Sequence, residues 1–298
     1  MEKFNIHTLV GKENVKVALK CLPSACSNVE ESKKIIVHED GSLNEKEVSK
    51  IKEKLPVEKV LGREEADNRV REKLKLYPRC QEYREKSNFA LKLFDVPLLA
   101  SENQVVYLDS DILFMKPVKE LFHLQDESAR FSSNGHMGNA YAVAFTQVEP
   151  MGSLRLVDSL NSGLFCIERT HFDLDFIEYV LEYLSGSERY RQRPYWAEQT
   201  CWSALAAKIG VRLWSFEDIT IPRTKSDGSI HVPESASVVH FASSVRDALW
   251  RTEVQPGREP SRVKLESPDY NTSMRQLKFD LDIYAESILN KISQFVSR

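Results

Sequence analysis

The sequence has no C-x-x-C pair. Its five cysteines (Cys21, Cys26, Cys80, Cys166 and Cys201) are odd in number and scattered over 298 residues, which excludes a zinc knuckle or a thioredoxin-type dithiol. Cys166 and Cys201 sit in apolar runs and read as small buried hydrophobes. No apolar run reaches the ~18 residues of a membrane span. The N-terminus, M-E-K-F-N-I-H-T, lacks the basic start and apolar core of a signal peptide. Charge of one sign is not in excess either: the net charge is −3 with 29% charged residues, so there is no bulk positive field for nucleic acid. There is no internal repeat and no low-complexity segment. These absences lead to the expectation of a soluble, cytoplasmic protein of a reducing compartment. What is present is chain length and, at 42% hydrophobic residues, enough apolar content to bury a core. The length suits one large α/β domain or two small ones.

Apolar runs and breakers alternate as α/β folds require. Val15–Leu19 reads as a first strand, followed by a loop from Pro23, and Lys34–Val37 as a second. Ser42 stands three residues before Glu45 in a capping-box pattern, opening a helix over Leu43–Leu55 that Pro56 stops. Val57–Leu61 is a third strand. Arg63–Leu76 is a charged helix, broken at Tyr77-Pro78. Gln81–Leu99 resumes helical spacing, with Phe89, Leu93, Val96 and Leu99 near one stripe. Loops rich in Gly and Asn follow between Leu121 and Ala144, where Asn134 and Asn139 read as turn formers. Thr170 is a candidate N-cap for the next helix, and Gly210 a C′ glycine for the helix opened at Tyr195. Arg251–Tyr270 reads as an extended connector. Met274, Leu277, Leu281, Tyr284, Ile288, Ile292 and Phe295 recur at helical steps, an amphipathic helix expected to pack on the main domain or to serve in a homo-oligomer.

Between these elements lies V-V-Y-L-D-S-D, Val105 to Asp111. It is a short β-branched apolar run ending in two carboxylates. Burying like charges together is costly unless something pairs them. Hard carboxylate oxygens at a strand end suit Mg²⁺ or Mn²⁺, and ligands of open α/β sheets gather at the carboxyl ends of strands. Asp-x-Asp spacing alone is weak. Asp173-Leu174-Asp175 and Asp280-Leu281-Asp282 share it, but the first opens a helix and the second rides on one. Only Asp109 and Asp111 follow a buried strand. A phosphatase-type Asp-x-Asp with a nucleophilic first acid is a rival, although its usual continuation and its place near the chain start are both missing here.

V-V-Y-L-D-S-D-I-L-F resembles the metal-binding motif of GT-A glycosyltransferases, especially the retaining glycogenin- and galactosyltransferase-like group, family 8. Three further segments are similar to that group in the same order: Asn161-Ser162-Gly163, Glu198-Gln199 and Val239-His240-Phe241. The resemblance runs from about Phe89 to about Arg246. It implies a GT-A-like mixed sheet flanked by helices. It also implies a Mn²⁺ (or Mg²⁺) held by Asp109, Asp111 and His240, and a nucleotide-diphosphate-sugar donor contacted by Lys92, Asp109, Ser110, Asn161, Ser162, Gly163 and Arg246. Glu198 and Gln199 would face the transferred sugar as catalytic residues. The acceptor would be a glycan or other hydroxyl compound. The late motif departs from the group, with Ser243 for Gly and Arg246 for Lys; an arginine still pairs phosphate bidentately. Lys20-Cys21-Leu22 stands where the group grips uridine, so a UDP donor is only weakly favoured.

The expected organisation is a catalytic domain over 12–250 and a connector with a C-terminal helix over 251–298. The expected activity is metal-dependent sugar transfer, with retention. Two alternatives stay open: a sugar nucleotidyltransferase of related fold, for which Leu22-Pro23-Ser24-Ala25 makes a poor phosphate loop, and a non-catalytic nucleotide-sugar-binding protein.

Overall fold

The computed structural model describes residues 4–29, 32–135, 138–224, 229–254, 259–270, 274–281 and 284–285. The chain opens with β1 (Phe4–Val10), α1 (Val15–Asn28), β2 (Ser32–Glu39), α2 (Glu45–Lys54) and β3 (Val57–Leu61). Three helices follow: α3 (Arg63–Leu74), α4 (Pro78–Lys86) and α5 (Phe89–Leu99). Then come β4 (Gln104–Leu108), β5 (Ile112–Phe114), β6 (Ala129–Ser133) and β7 (Leu160–Glu168). After them run α6 (Leu174–Ser185), α7 (Glu188–Gln192), α8 (Ala197–Ile209), β8 (Arg212–Trp214) and β9 (Ile219–Thr220). The last strands are β10 (Arg223–Thr224), β11 (Ile230–His231), β12 (Val238–His240) and β13 (Leu265–Glu266).

The main sheet is mixed, in the order β13-β8-β6-β7-β4-β1-β2-β3. One core lies between it and α3, α5, α6 and α8, built on Val70, Leu93, Leu181 and Trp202 against Tyr107, Phe131 and Phe165. The other face carries α1 and α2, with Ala18, Leu22 and Ile51 against Val106, Leu108 and Cys166. Alternation along β4 accounts for the division, since successive side chains of a strand point to opposite faces. A second small sheet, β5-β12-β9, packs on α1 through Val17, Cys21, Leu113 and Val239.

Several expectations are corrected. Val15–Leu19 is the start of α1, and the first strand is Phe4–Val10, in the middle of the sheet and ahead of residue 12. Val15, Ala18, Leu22 and Ala25 face one core while Val17 and Cys21 face another. A helix buried on two sides is apolar at alternate positions too, and so imitates a strand. Asn44, not Ser42, caps α2, in a reciprocal capping box with Glu47. Gln81–Leu99 is two helices, α4 and α5, parted at Ser87-Asn88, and Phe89 is half exposed. Asp173, not Thr170, caps α6 by accepting the Phe176 N–H.

The 251–270 connector supplies β13 to the main sheet. Residues 274–281 are helical, but Met274, Leu281 and Tyr284 are exposed rather than packed. Docking is set instead by Arg275 on Asp158 at 2.6 Å, by Asp280 on Arg189, and by Phe279 beside Trp196. Ile288, Ile292 and Phe295 lie outside the described residues.

Candidate active site

Strand β4 delivers Asp109 to the carboxyl end of the sheet. Tyr107 and Asp109 share a face by strand alternation, and the Tyr107 hydroxyl donates to Asp109 Oδ1 at 2.7 Å. The chain then turns at Ser110-Asp111 into β5. Antiparallel pairing of β5 with β12 sets His240 opposite Ile112, and the Phe241 N–H donates to the Asp111 carbonyl at 3.0 Å. The long sequence gap between Asp111 and His240 is therefore closed by the small sheet, not by the main one. His240 Nε2 lies 3.3 Å from Asp111 Oδ1 and 3.7 Å from Asp109 Oδ2. One ligand atom from each of the three residues falls within 4.8 Å of the others.

Asn161-Ser162-Gly163 is not a free turn but part of β7. Phe131 pairs with Phe165, whereas the next residue, Ser132, pairs with Asn161, so residues 162–164 bulge out of the ladder. Ser132 Oγ spans the bulge, 3.0 Å from the Asn161 carbonyl and 3.2 Å from that of Leu164. Bulges of this kind re-aim side chains beside active sites. The Gly163 carbonyl accepts the Asp109 N–H at 2.7 Å. A β-carbon on Gly163 would overlap the His240 ring and sit 2.9 Å from both Asn161 Oδ1 and Asp109 Oδ2. Only glycine lets the β7 backbone approach this closely.

Lys92, on buried α5, reaches the same place. Its Nζ lies 3.6 Å from Asp109 Oδ2, 3.3 Å from Glu198 Oε2 and 3.2 Å from Ser162 Oγ. Ser162 Oγ in turn donates to Glu198 Oε2 at 3.0 Å, and Glu198 Oε1 is buried without a partner among the described residues. Burial pushes the Glu198 carboxyl up to about 7, with Asp109 adding to the shift and Lys92 opposing it. Burial alone would lower the Lys92 ammonium, but Asp109 and Glu198 outweigh it and its pKa rises. Arg246 donates to Asp111 Oδ2 at 2.7 Å and to Asn14 Oδ1 at 3.1 Å. Burial raises the Asp111 pKa, yet His240 and Arg246 together hold it below the ordinary carboxylate range.

A cleft of about 320 Å³ opens over these groups, lined on one side by Lys92, Asp109, Ser110, Asp111 and Arg246 and on the other by Leu9, Gly11, Asn14 and Asp40. Of the residues expected from sequence, Asp109, Ser110, Asp111, His240, Lys92, Ser162, Gly163, Glu198 and Arg246 converge. Asn161 supports the bulge, its Oδ1 accepting the Gly163 N–H at 2.9 Å. Gln199 donates to the Ala140 carbonyl at 3.4 Å, away from the acids. The side chain of Ser243 lies outside the described residues. Asn134 and Asn139 are buried polar supports rather than exposed turn formers. Asn134 Oδ1 accepts from Asn161 at 2.8 Å, and Asn139 binds Asp158 at 2.8 Å. Sequence reasoning also missed Tyr107, Asn14 and Asp40. The Tyr-x-Asp alternation was the available signal for Tyr107, while Asn14 and Asp40 were hidden by the misplaced first strand.

The mouse xyloside xylosyltransferase 1 superposes over 82% of this chain and 99% of its own, with a TM-score of 0.53 at 12% identity. The fold is that of the GT-A glycosyltransferases. WbbM, a bifunctional glycosyltransferase, matches over 82% of this chain and 46% of its own, TM-score 0.51 at 11% identity. GlyE of Streptococcus pneumoniae TIGR4 matches over 84% of this chain and 60% of its own, TM-score 0.50 at 12% identity. No protein-family model and no curated protein matches the sequence, so the GT-A likeness lives in the fold. Within that fold, Asp109, Asp111 and His240 are a candidate metal site. Two carboxylates and an imidazole facing one point form a donor set suited to a divalent cation, and metal binding would relieve the crowding of two acids at one strand end.

Proposed function

We propose that this protein is a metal-dependent glycosyltransferase that moves a sugar from a nucleotide-diphosphate donor to a hydroxyl acceptor, with retention. The observation that carries the reading is the meeting of Asp109 and Asp111 with His240 beside a cleft that the two acids line together with Lys92 and Arg246. Asp109, Asp111 and His240 would hold Mn²⁺ or Mg²⁺, which supplies Lewis-acid neutralisation of the leaving diphosphate. Arg246, half exposed, is free to exchange Asp111 and Asn14 for a phosphate oxygen, where a guanidinium fork pairs bidentately. Lys92 cannot leave its buried position and fixes Asp109, Ser162 and Glu198 relative to one another. The unpaired Glu198 Oε1 would serve as an acceptor for a sugar hydroxyl, or as a stabiliser of positive charge developing at the anomeric carbon. When the sugar–oxygen bond breaks, the diphosphate takes the electron pair, and the acceptor oxygen bonds to the anomeric carbon while its proton passes to the departing diphosphate oxygen. Phe89 lines the cleft, and its ring lies 6.3 Å from that of Tyr195, both side chains being exposed. Aromatic faces there suit the apolar face of a pyranose, which favours a glycan acceptor.

The nucleotidyltransferase alternative is weakened by the loop after β1, Gly11-Lys12-Glu13-Asn14, which carries one glycine and one lysine and is not a glycine-rich phosphate cradle. The test is hydrolysis and transfer with a panel of nucleotide-sugars, with and without Mn²⁺. Metal-dependent cleavage of one donor, lost by at least about 10³-fold in Asp109→Ala/Asp111→Ala, is the expected result. Tight nucleotide binding with no cleavage of any donor would instead identify a binding protein. Full activity in the double variant would sink the metal assignment.

A further inference from the structure

The helix over residues 274–281 adds little to the hydrophobic core, with Met274 and Leu281 exposed. Its first turn carries Arg275, which reaches the corner that opens β7. Arg275 Nε lies 2.6 Å from Asp158 Oδ2, and its Nη1 donates to Ser159 Oγ at 3.1 Å. Asp158 is 2% exposed, and a carboxylate at that depth requires a cation. Ser159 has φ +54°, in the left-handed region that a side chain disfavours. Such a corner persists only where its surroundings hold it. Here Arg275 holds both side chains. Asn139 donates to Asp158 Oδ1 and accepts the Ser159 N–H, each at 2.8 Å, and the Asp269 carbonyl accepts the Asp158 N–H at 2.7 Å.

From this corner a run of buried hydrogen bonds enters the site. The Ser159 carbonyl accepts the Asn134 N–H at 2.6 Å, and Asn134 Oδ1 accepts from Asn161 at 2.8 Å. Asn161 Oδ1 accepts the Gly163 N–H at 2.9 Å, and the Gly163 carbonyl accepts the Asp109 N–H at 2.7 Å. We infer that Arg275 is a remote positioning residue of this site: by clamping the Asp158–Ser159 corner it fixes the entry of β7, and with it the bulge that brings Ser162 to Glu198 and the carbonyl that orients Asp109. The C-terminal helix is then part of the catalytic unit rather than an appendage to it. A guanidinium suits the task, because its fork addresses two acceptors at once. Lysine keeps the charge but not the fork, and glutamine leaves Asp158 a buried charge without its cation. The helix has other anchors, Asp280 on Arg189 and Phe279 beside Trp196, so the loss in either variant is local to the corner.

Hydrogen–deuterium exchange of the metal-free full chain tests the clamp independently of activity. Arg275→Gln should speed exchange about tenfold or more over residues 159–163 and at Asp109, with β2 and β3 unchanged. Arg275→Lys should fall between Arg275→Gln and wild type. Asp280→Asn, which loosens the same helix at its other anchor, should leave both segments as in wild type. The kinetic arm rests on the transferase reading above: at temperatures where the variant is fully folded, Arg275→Gln should lower kcat for metal-dependent donor cleavage about tenfold or more, with donor KM little changed. Unchanged exchange over 159–163 and at Asp109 would overturn the inference. So would faster exchange throughout the sheet, which would make Arg275 a general stabiliser, or an equal effect in Asp280→Asn. Local opening with wild-type kcat would overturn it as well, since the corner would not then govern the site. If wild type cleaves no donor, the transferase reading has failed, and the exchange pattern still decides whether Arg275 sets the bulge and Asp109.

Discussion

Gly163 and Glu198 are single residues with consequences out of proportion to their size. A methyl group on Gly163 must displace the His240 ring or the Asp109 carboxylate. Gly163→Ala should therefore weaken Mn²⁺ binding at least about tenfold, as outer-shell disturbances of metal ligands do, while far-UV circular dichroism stays native. Retention of wild-type Mn²⁺ affinity would show that the site adjusts at no cost. Glu198 makes a prediction about pH. Its carboxyl is raised by burial from an ordinary 4.5 to about 7, so between those values the folded chain holds more protons than the unfolded one. Stability contributed by the protonated acid is then lost as pH rises through that window, up to roughly 3 kcal/mol at the limit. Glu198→Gln, neutral throughout, lacks this loss. Metal-free urea unfolding should show the variant gaining on wild type from pH 5 to pH 8, and a constant difference between them would contradict the burial account.

Among the elements, α5 sets the place of Lys92, and it is held by a buried guanidinium. Arg84 binds Asp95 through two contacts of 2.7 and 2.8 Å and Asp67 through a third at 2.7 Å, with Arg84 and Asp95 almost wholly buried. Removing one partner of such a pair strands the other charge. Arg84→Ala should cost about 3–5 kcal/mol, and Arg84→Met/Asp95→Leu should recover much of it; chemical unfolding measures both. A double variant no better than the single would show that geometry, not stranded charge, is at stake. The elements also explain what could be read beforehand. β4 with its two acids, His240, Lys92 and Arg246 were legible because their side-chain chemistry is unusual for their local context. The β5–β12 pairing that unites them was not, since both strands are three residues long and contact is made across more than a hundred intervening positions. β1 was missed because its F-N-I-H-T-L-V pattern carries a histidine and an asparagine. His7 is buried and Asn5 half-buried, and each meets a polar side chain from a neighbouring segment: His7 Nδ1 lies 2.9 Å from His38 Nε2, and Asn5 donates to Glu102 at 2.6 Å. Such polar pairs leave no periodic trace. The split between α4 and α5 was hidden for the opposite reason, because helical spacing continues across the break.

At the scale of the whole molecule, the site is assembled from pieces that reach it from both halves of the chain: the β1 loop, α5, β4, the β7 bulge, α8 and β12 with the turn that follows. None of these is held by covalent links between them, and all five cysteines are free. Charges of both signs converge on one cleft and pair with one another there: Arg246 with Asp111, Lys92 with Asp109 and Glu198. Ligands that bind only this assembled state must stabilise the entire fold by mass action. At a hundredfold excess over Kd, Mn²⁺ with the right nucleoside diphosphate should add about 2.7 kcal/mol, or about 5 °C in Tm for a chain of this size. The two components should act together. Mn²⁺ alone must compete with Arg246 for Asp111, and the nucleotide alone brings negative phosphate to two carboxylates. Differential scanning calorimetry with each component, then both, measures the coupling. A combined shift larger than the sum of the separate ones is expected in wild type and absent in Asp109→Ala/Asp111→Ala. Simple additivity in wild type would mean that metal and nucleotide occupy independent sites, and the cleft would then have to be read as something other than a single donor-binding unit.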